Sequence, residues 1–85
     1  EYIEAWTQLG CVWHLKGDLD NALDAFNIAL TSHGDYADAI YHKANVLGEL
    51  DRLDEALVMW RRYLEFDADG PWADDARWRI ETAEE

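Results

Sequence analysis

The chain has little of what catalytic and disulfide-stabilised domains are built from. Of its 85 residues, one is cysteine, one is proline and five are glycine. A single cysteine excludes an internal disulfide, and this usage fits a reducing compartment. With so few proline and glycine residues, long irregular loops are not expected. No apolar run approaches the roughly 20 residues that a membrane-spanning helix needs.

Positive charge is also scarce. Seven Lys and Arg stand against 19 Asp and Glu, which gives a net charge of −12. This charge repels phosphate backbones and anionic membranes, so we expect neither nucleic-acid binding nor membrane insertion. A partner that carries Lys or Arg would be attracted. Adaptation to high salt is an alternative reason for the acidity, because aspartate is abundant and only two residues are lysine.

Patterns that carry chemistry are missing from the sequence. It contains no Ser–His–Asp or Cys–His pattern on an orienting scaffold, no glycine-rich phosphate loop, and no CxxC or HExxH motif. Cys11 and His14 lie one helical turn apart, and His14 could approach His42 across two helices, but no further ligand is evident. We therefore expect a non-enzymatic protein without cofactor or metal.

What the chain does have is an internal repeat, with a period of about 34 residues. Identical residues recur at this spacing in the following pairs: Tyr2/Tyr36, Ala5/Ala39, Val12/Val46, Leu19/Leu53, Asp20/Asp54, Ala22/Ala56, Leu23/Leu57 and Leu30/Leu64. A period of this length is typical of stacked supersecondary units rather than of a closed globule. The repeat favours a surface that holds a partner over an active site.

Apolar residues recur with a helical period throughout the chain and predict five helices. The predicted helices cover about residues 3–16, 18–32, 36–50, 54–66 and 72–83. In the first helix the apolar residues predicted to face inward are Ala5, Trp6, Leu9, Val12 and Trp13. The fifth has a narrow apolar stripe (Ala73, Ala76, Ile80 and Ala83) and a charged back, which is typical of the end of a stacked array.

Residues suited to helix ends lie between these segments. Gly17 fits a left-handed C-terminal cap, and Asp18 or Asp20 fits the N-cap of the second helix. Asp35 is predicted to cap the third helix. Pro71 is predicted to occupy the first position of the fifth helix.

The first unit places Trp6, Leu9, Gly10, Trp13, Ala22 and Phe26 at the positions of the pattern W-x2-L-G-x2-Y, A and F. It thereby resembles the tetratricopeptide repeat family, whose unit is a helix–turn–helix of about 34 residues. The second unit is looser. It has Ile40, Lys43, Ala44 and Leu47 in the first helix, Tyr63 in place of a small residue, and no closing proline in either unit.

The resemblance implies an all-α fold, a right-handed α-solenoid of antiparallel helix pairs with five helices. The single domain 1–85 would hold repeat 1 at about 3–36, repeat 2 at about 37–70 and a cap helix at about 71–84, as a fragment of a longer protein. Small residues at Gly10, Ala22, Ala44 and Ala56 would let helices approach closely. Lys43 stands at a position where the apolar stripe predicts an apolar residue. Either its aliphatic stem is buried while its ammonium group reaches water, or the ammonium group is a cation that binds a ligand.

In the resembled family, the first helix of each pair lines a concave groove that binds peptides or helices. The corresponding groove residues here are Glu4, Thr7, Gln8, Cys11, His14, Asp38, Tyr41, His42, Asn45, Glu49, Asp75 and Arg79. One subclass of the family clamps a terminal carboxylate. Only Asn45 and Arg79 match that clamp, whereas Thr7, Cys11 and Asp75 replace its other residues, so carboxylate capture is not expected.

We therefore expect a protein-interaction scaffold that binds a peptide or helix, preferably basic, in the concave groove. The alternative is a structural module that stacks with further repeats or forms homo-oligomers through an exposed N-terminal edge at Tyr2, Trp6 and Trp13. A soluble, cytoplasmic protein is favoured, although the sequence names neither location nor partner.

Overall fold

The structure is a computed structural model that describes residues 2–84. Those residues form five α-helices and no strand, which confirms the expected all-α class and the number of helices. The helices are α1 (Ile3–Leu15), α2 (Leu19–Ser32), α3 (Ala37–Glu49), α4 (Leu53–Phe66) and α5 (Ala73–Ala83). The radius of gyration is 11.9 Å, and the principal extents are 35 × 25 × 18 Å. None of these helices is long and apolar enough to cross a lipid bilayer.

The turn between α1 and α2 follows the prediction. Gly17 has a φ of 80°, the left-handed conformation that glycine adopts without steric cost. Asp18 is the N-cap of α2, and its Oδ1 accepts a hydrogen bond from the backbone N–H of Asn21 at 3.2 Å. The turn between α3 and α4 reaches a similar conformation without glycine, because Asp51 has a φ of 61°.

Two predicted helix starts are wrong. The N-cap of α3 is Tyr36, and no side chain caps this helix, so Asp35 does not have the expected role. Pro71 lies in the turn before α5, whose N-cap is Trp72, so the helix begins later than expected for a proline at the first helical position. A continuous turn from Asp67, closed by a hydrogen bond from Gly70 N to Asp67 O at 3.0 Å, delays the start of α5.

The helices pack in chain order. α1 packs against α2, α2 against α3, α3 against α4 and α4 against α5, with a smaller contact between α1 and α3. One core cluster joins α3, α4 and α5 around Ile40, Leu47 and Tyr63, and a smaller one holds Ala22, Phe26 and Val46. Leu23 of α2 packs against both clusters, so α2 links the two halves of the chain.

The predicted small residues are all buried, and at Gly10 another helix lies in close contact. Gly10 is buried, and a Cβ placed on it would lie 2.5 Å from Cε1 of Phe26. Ala22, Ala44 and Ala56 are each 0% exposed. Since side-chain carbon atoms do not approach one another so closely, glycine is required at position 10 for Phe26 to lie against α1.

The predicted inward face of α1 is largely not buried. Leu9 is 39% exposed and Val12 is 47% exposed, whereas the buried residues of this helix are Thr7 and Gly10. Trp13 is half-buried against the smaller cluster. The prediction that this face packs inward is therefore wrong for Ala5, Trp6, Leu9 and Val12, because no element within residues 2–84 covers them.

Lys43 is half-buried between α3 and α4. It borders a depression of about 240 Å³ together with Leu47, Glu55, Val58 and Met59. Burial lowers the pKa of Lys43, while the nearby carboxylate of Glu55 acts to raise it. Lys43 therefore lies on the side of α3 that faces α4, near the carboxylate of Glu55.

Candidate functional site

The predicted groove residues lie on α1, α3 and α5, and they differ widely in exposure. Glu4, Gln8 and Glu49 are exposed. The residues that are half-buried are Cys11, His14, Asp38, His42, Asn45, Asp75 and Arg79. Thr7 and Tyr41 are both 6% exposed, so neither of these two offers much of its side chain to a ligand.

Thr7 is occupied within its own helix. Its hydroxyl donates to the carbonyl oxygen of Ile3, one turn earlier, at 2.7 Å. This back-bonding satisfies a buried hydroxyl without another helix. Thr7 is thus a buried residue whose hydroxyl is already hydrogen-bonded within α1, and it is not part of an exposed binding surface.

Tyr41 and Asp75 link α3 to α5. The hydroxyl of Tyr41 donates to Oδ2 of Asp75 at 2.5 Å, and Nε of Arg79 donates to the same oxygen at 2.7 Å. Burial acts to raise the pKa of Asp75, but these two hydrogen bonds outweigh it and hold the pKa below its usual value. The Asp75 carboxylate is therefore ionised and already paired with Arg79.

Asn45 and Arg79 are also engaged with the protein itself. Nε1 of Trp60 donates to Oδ1 of Asn45 at 3.0 Å, and the guanidinium of Arg79 lies 5.8 Å from the centre of the Trp60 ring. The contacts extend from Asp75 through Arg79 and Trp60 to Asn45. These polar residues of the predicted groove hold α3, α4 and α5 together. Fewer of their polar atoms are therefore free to bind a ligand.

A cluster of rings lies between α3 and the start of α5. Tyr41 and Trp72 stack with ring centres 4.9 Å apart and an interplanar angle of 3°, and His42 meets the edge of this pair, 5.0 Å from Trp72. His42 also stacks on Phe26 of α2 at 5.9 Å. Burial lowers the pKa of His42, with Asp38 acting in the opposite direction. The neutral imidazole is thus favoured among the rings.

Trp72 is a site residue that the sequence reasoning missed. The hydroxyl of Tyr63 accepts a hydrogen bond from the backbone N–H of Trp72 at 3.2 Å and donates one to Oδ2 of Asp67 at 3.1 Å. Tyr63 is fully buried, so these bonds fix the α4–α5 turn from inside. A tyrosine at a position where the resembled family has a small residue was the signal available in the sequence.

Asp38 is the half-buried carboxylate among the predicted groove residues that remain accessible. This half-buried carboxylate lies close enough to Cys11, Tyr36 and His42 to act on the pKa of all three. Burial makes the largest contribution to raising the pKa of the Cys11 thiol, and the negative charge of Asp38 raises it further. Cys11 is therefore not an activated nucleophile. Within residues 2–84, neither Asp38 nor Glu4 forms an ion pair with Lys or Arg.

The far end of this face is closed by a contact between α1 and α3. Nε2 of His14 and Oε2 of Glu49 lie 2.5 Å apart. His14 is thereby brought to Glu49 rather than joined with Cys11 in a reactive pair. In the part of the chain that the structure describes, no three His, Cys, Asp or Glu side chains come together in a way that could hold a metal ion.

Five of the predicted groove residues (Glu4, Gln8, Cys11, Asp38 and His42), together with Trp72, are called the acidic groove below. Its two carboxylates have no Lys or Arg partner among the described residues, and the backbone N–H of Trp72 is held by the buried hydroxyl of Tyr63. Compared with known proteins, the chain matches no protein-family model, and no curated protein matches it at a significant level.

Proposed function

We propose that this chain is a non-catalytic protein-interaction module that binds a basic peptide in the acidic groove. The observation that carries the proposal is Asp38, a half-buried carboxylate at the junction of α1 and α3 that has no Lys or Arg partner within residues 2–84. A carboxylate that is partly removed from water gains more from a ligand cation than a fully exposed one does.

The architecture proposed for this function is a tetratricopeptide-like, right-handed α-solenoid of antiparallel helix pairs. The internal repeat of the sequence supports it, together with packing of α1 on α2 and α3 on α4. The close approach of Phe26 to Gly10 supports it as well, because this pair belongs to the motif that carries the resemblance. In such an arrangement α1, α3 and α5 share one concave side.

Charge and aromatic contact have separate roles in the proposed binding. The net charge of −12 attracts a cationic peptide and makes its association dependent on ionic strength. Exposed ion pairs contribute only about 0–1 kcal/mol each, so the contact with His42 and Trp72 has to supply much of the affinity. We expect affinity in the micromolar range, on the order of −8 kcal/mol.

The test uses a short peptide that carries Lys and Arg and a matched peptide with Glu at those positions. Nitrogen-15 chemical-shift mapping should show changes at Gln8, Cys11, Asp38 and His42 with the basic peptide alone. Asp38→Asn should weaken binding by about three- to tenfold. The matched control is Asp54→Asn, which removes one charge from the first turn of α4 just as Asp38→Asn does from that of α3.

Equal weakening by Asp38→Asn and Asp54→Asn would mean that only net charge matters, and the groove assignment would then be wrong. Shifts confined to residues outside the acidic groove would refute it directly. The measurement should be repeated at raised salt, where the groove proposal requires weaker binding.

A further inference from the structure

One end of the molecule presents an apolar surface on α1. Tyr2 is 71% exposed, Trp6 37%, Leu9 39% and Val12 47%. Tyr2, Ala5, Trp6 and Leu9 line a shallow depression of about 410 Å³. These residues together with Val12 are called the α1 face. Single exposed apolar residues are ordinary on protein surfaces, whereas a contiguous set with a large aromatic residue marks an interaction site.

The chain itself shows how such a face is covered. Ala39, Ile40 and Val46 of α3 are the repeat equivalents of Ala5, Trp6 and Val12, and all three are 0% exposed. α2 packs on α3, and its Ala22 and Phe26 form a cluster with Val46. The covering helix therefore presents an apolar stripe to the face.

The same relation recurs once more along the chain. Ala73 and Ala76 of α5 are 3% and 0% exposed, in the cluster against which Leu57 and Leu64 of α4 pack. The second helix of each unit thus covers the first helix of the next unit. Only α1 has no such helix before it within the described residues.

A second copy of the chain offers no free α2 or α4 stripe with which to cover the face. The stripes of α2 and α4 are already used inside the molecule, and the remaining surface of α2 is largely polar, with Asn21, Asp24 and Asn27 outside both core clusters. Two copies also repel each other, because each has a net charge of −12. Both observations favour a partner of different composition.

We propose that the α1 face docks an amphipathic α-helix of a partner protein. The helix carries apolar residues with the spacing of Leu19, Leu23, Phe26 and Leu30 in α2, that is i, i+4, i+7 and i+11. Lys or Arg flank its stripe, because the whole chain is acidic, with a net charge of −12. Trp6 stands where α3 has Ile40, and tryptophan is enriched among residues that dominate binding energy.

The probe for this proposal is a copy of α2. It is a peptide of residues 19–32 in which Lys replaces Asp20 and Asp24, with a fluorescent label at its start. A staple between positions 27 and 31, both exposed in α2, keeps it helical, because a free peptide of this length is only marginally helical in water. Fluorescence anisotropy gives the dissociation constant, and nitrogen-15 shifts locate the peptide.

The decisive variant is Val12→Glu, and its matched control is Val58→Glu. Val12 is 47% exposed on the α1 face, whereas Val58 is 58% exposed on α4. We expect Val12→Glu to weaken peptide binding by at least about tenfold, which corresponds to about 1.4 kcal/mol, and Val58→Glu to change it by less than about twofold. Far-UV circular dichroism should confirm that both variants remain helical, and Leu9→Gln serves if Val12→Glu does not fold.

Several results would overturn the proposal. They are no binding of the peptide, equal binding by Val12→Glu and the unaltered chain, or shifts at Asp38 and His42 of the acidic groove instead of the α1 face. A mass above 9.9 kDa that rises with concentration, and returns to 9.9 kDa in Val12→Glu, would show that a second copy fills the face. Asp38→Asn should not weaken the binding of this peptide. Failure of the acidic-groove proposal is therefore distinguishable from failure of the α1-face proposal.

Discussion

α1 and α3 occupy equivalent places in the two repeats, share an apolar pattern and have opposite environments. Val12 is 47% exposed on α1, whereas Val46 at the equivalent position of α3 is 0% exposed. Because the two valines match in type and in repeat position, intrinsic helix propensity and position along the helix do not distinguish them. The difference arises because α2 precedes α3 and covers it, while nothing described precedes α1 in the same way.

The other sides of these two helices differ in composition. α1 carries Thr7 and Gln8 where α3 carries Tyr41 and His42, and only the second pair meets Trp72. The neighbour of α3 on this side is the α4–α5 turn, which the Tyr63 hydroxyl holds in place. The aromatic part of the acidic groove is thus a property of the second unit, while the first unit adds Glu4 and Cys11.

The largest expected effect compares the same substitution at the two valines. Val46→Ala removes two methyl groups from a fully buried site and should lower the free energy of unfolding by about 2–3 kcal/mol. Val12→Ala should change it by less than about 0.5 kcal/mol. Urea unfolding followed by far-UV circular dichroism gives both values. Similar losses in the two variants would mean that the α1 face is covered in solution.

The fold was largely predictable because its helices are set by local pattern. The apolar period and the breaks at Gly17, Gly34 and residues 68–71 place all five helices to within about two residues, the usual uncertainty of a helix boundary. The burial of α1 was not predictable in the same way. An apolar stripe specifies a face that can pack, but whether a neighbour covers it depends on elements elsewhere in the chain or in a partner.

A smaller effect is expected from the one buried hydroxyl that joins α4 to α5. Tyr63→Phe removes the acceptor of the Trp72 N–H and the donor to Asp67, and should cost about 0.5–1.5 kcal/mol. Near-UV circular dichroism should also change, because Trp72 is stacked on Tyr41. The control Tyr2→Phe, at a residue 71% exposed, should alter neither property. An unchanged near-UV spectrum in Tyr63→Phe would show that ring packing alone positions Trp72.

The candidate site was less predictable than the fold. Helical spacing placed twelve residues on one side of α1, α3 and α5, but it does not reveal which of them bond to one another. Asn45 bonds to Trp60 and Asp75 bonds to Tyr41, and such contacts depend on tertiary distances of a few ångströms. Trp72 was missed because it was predicted as the first residue of the fifth helix but lay outside the predicted apolar stripe, so nothing in the helical period indicated its stack on Tyr41.

The smallest of the expected stability effects concerns His42, at the position where α1 has Gln8. Burial lowers the pKa of His42 below its usual 6.5, with His14 acting in the same direction and Asp38 against it. At about pH 7.5 and above, the ring is mostly neutral in both the folded and the unfolded chain. As the pH falls, the unfolded chain takes up a proton that the folded chain resists, so the stability contributed by the neutral ring is lost.

His42→Gln gives α3 the residue that α1 carries and should remove this dependence. The loss of unfolding free energy between roughly pH 7.5 and roughly pH 5.5 should be smaller in the variant than in the unaltered chain. The titration of His42 Cε1–H, followed by NMR, checks the direction of the pKa shift independently. Equal losses in both proteins, with a His42 pKa at or above 6.5, would mean that Asp38 outweighs burial. The ring would then be a cation in the acidic groove, and the groove would attract a basic peptide less strongly at low pH.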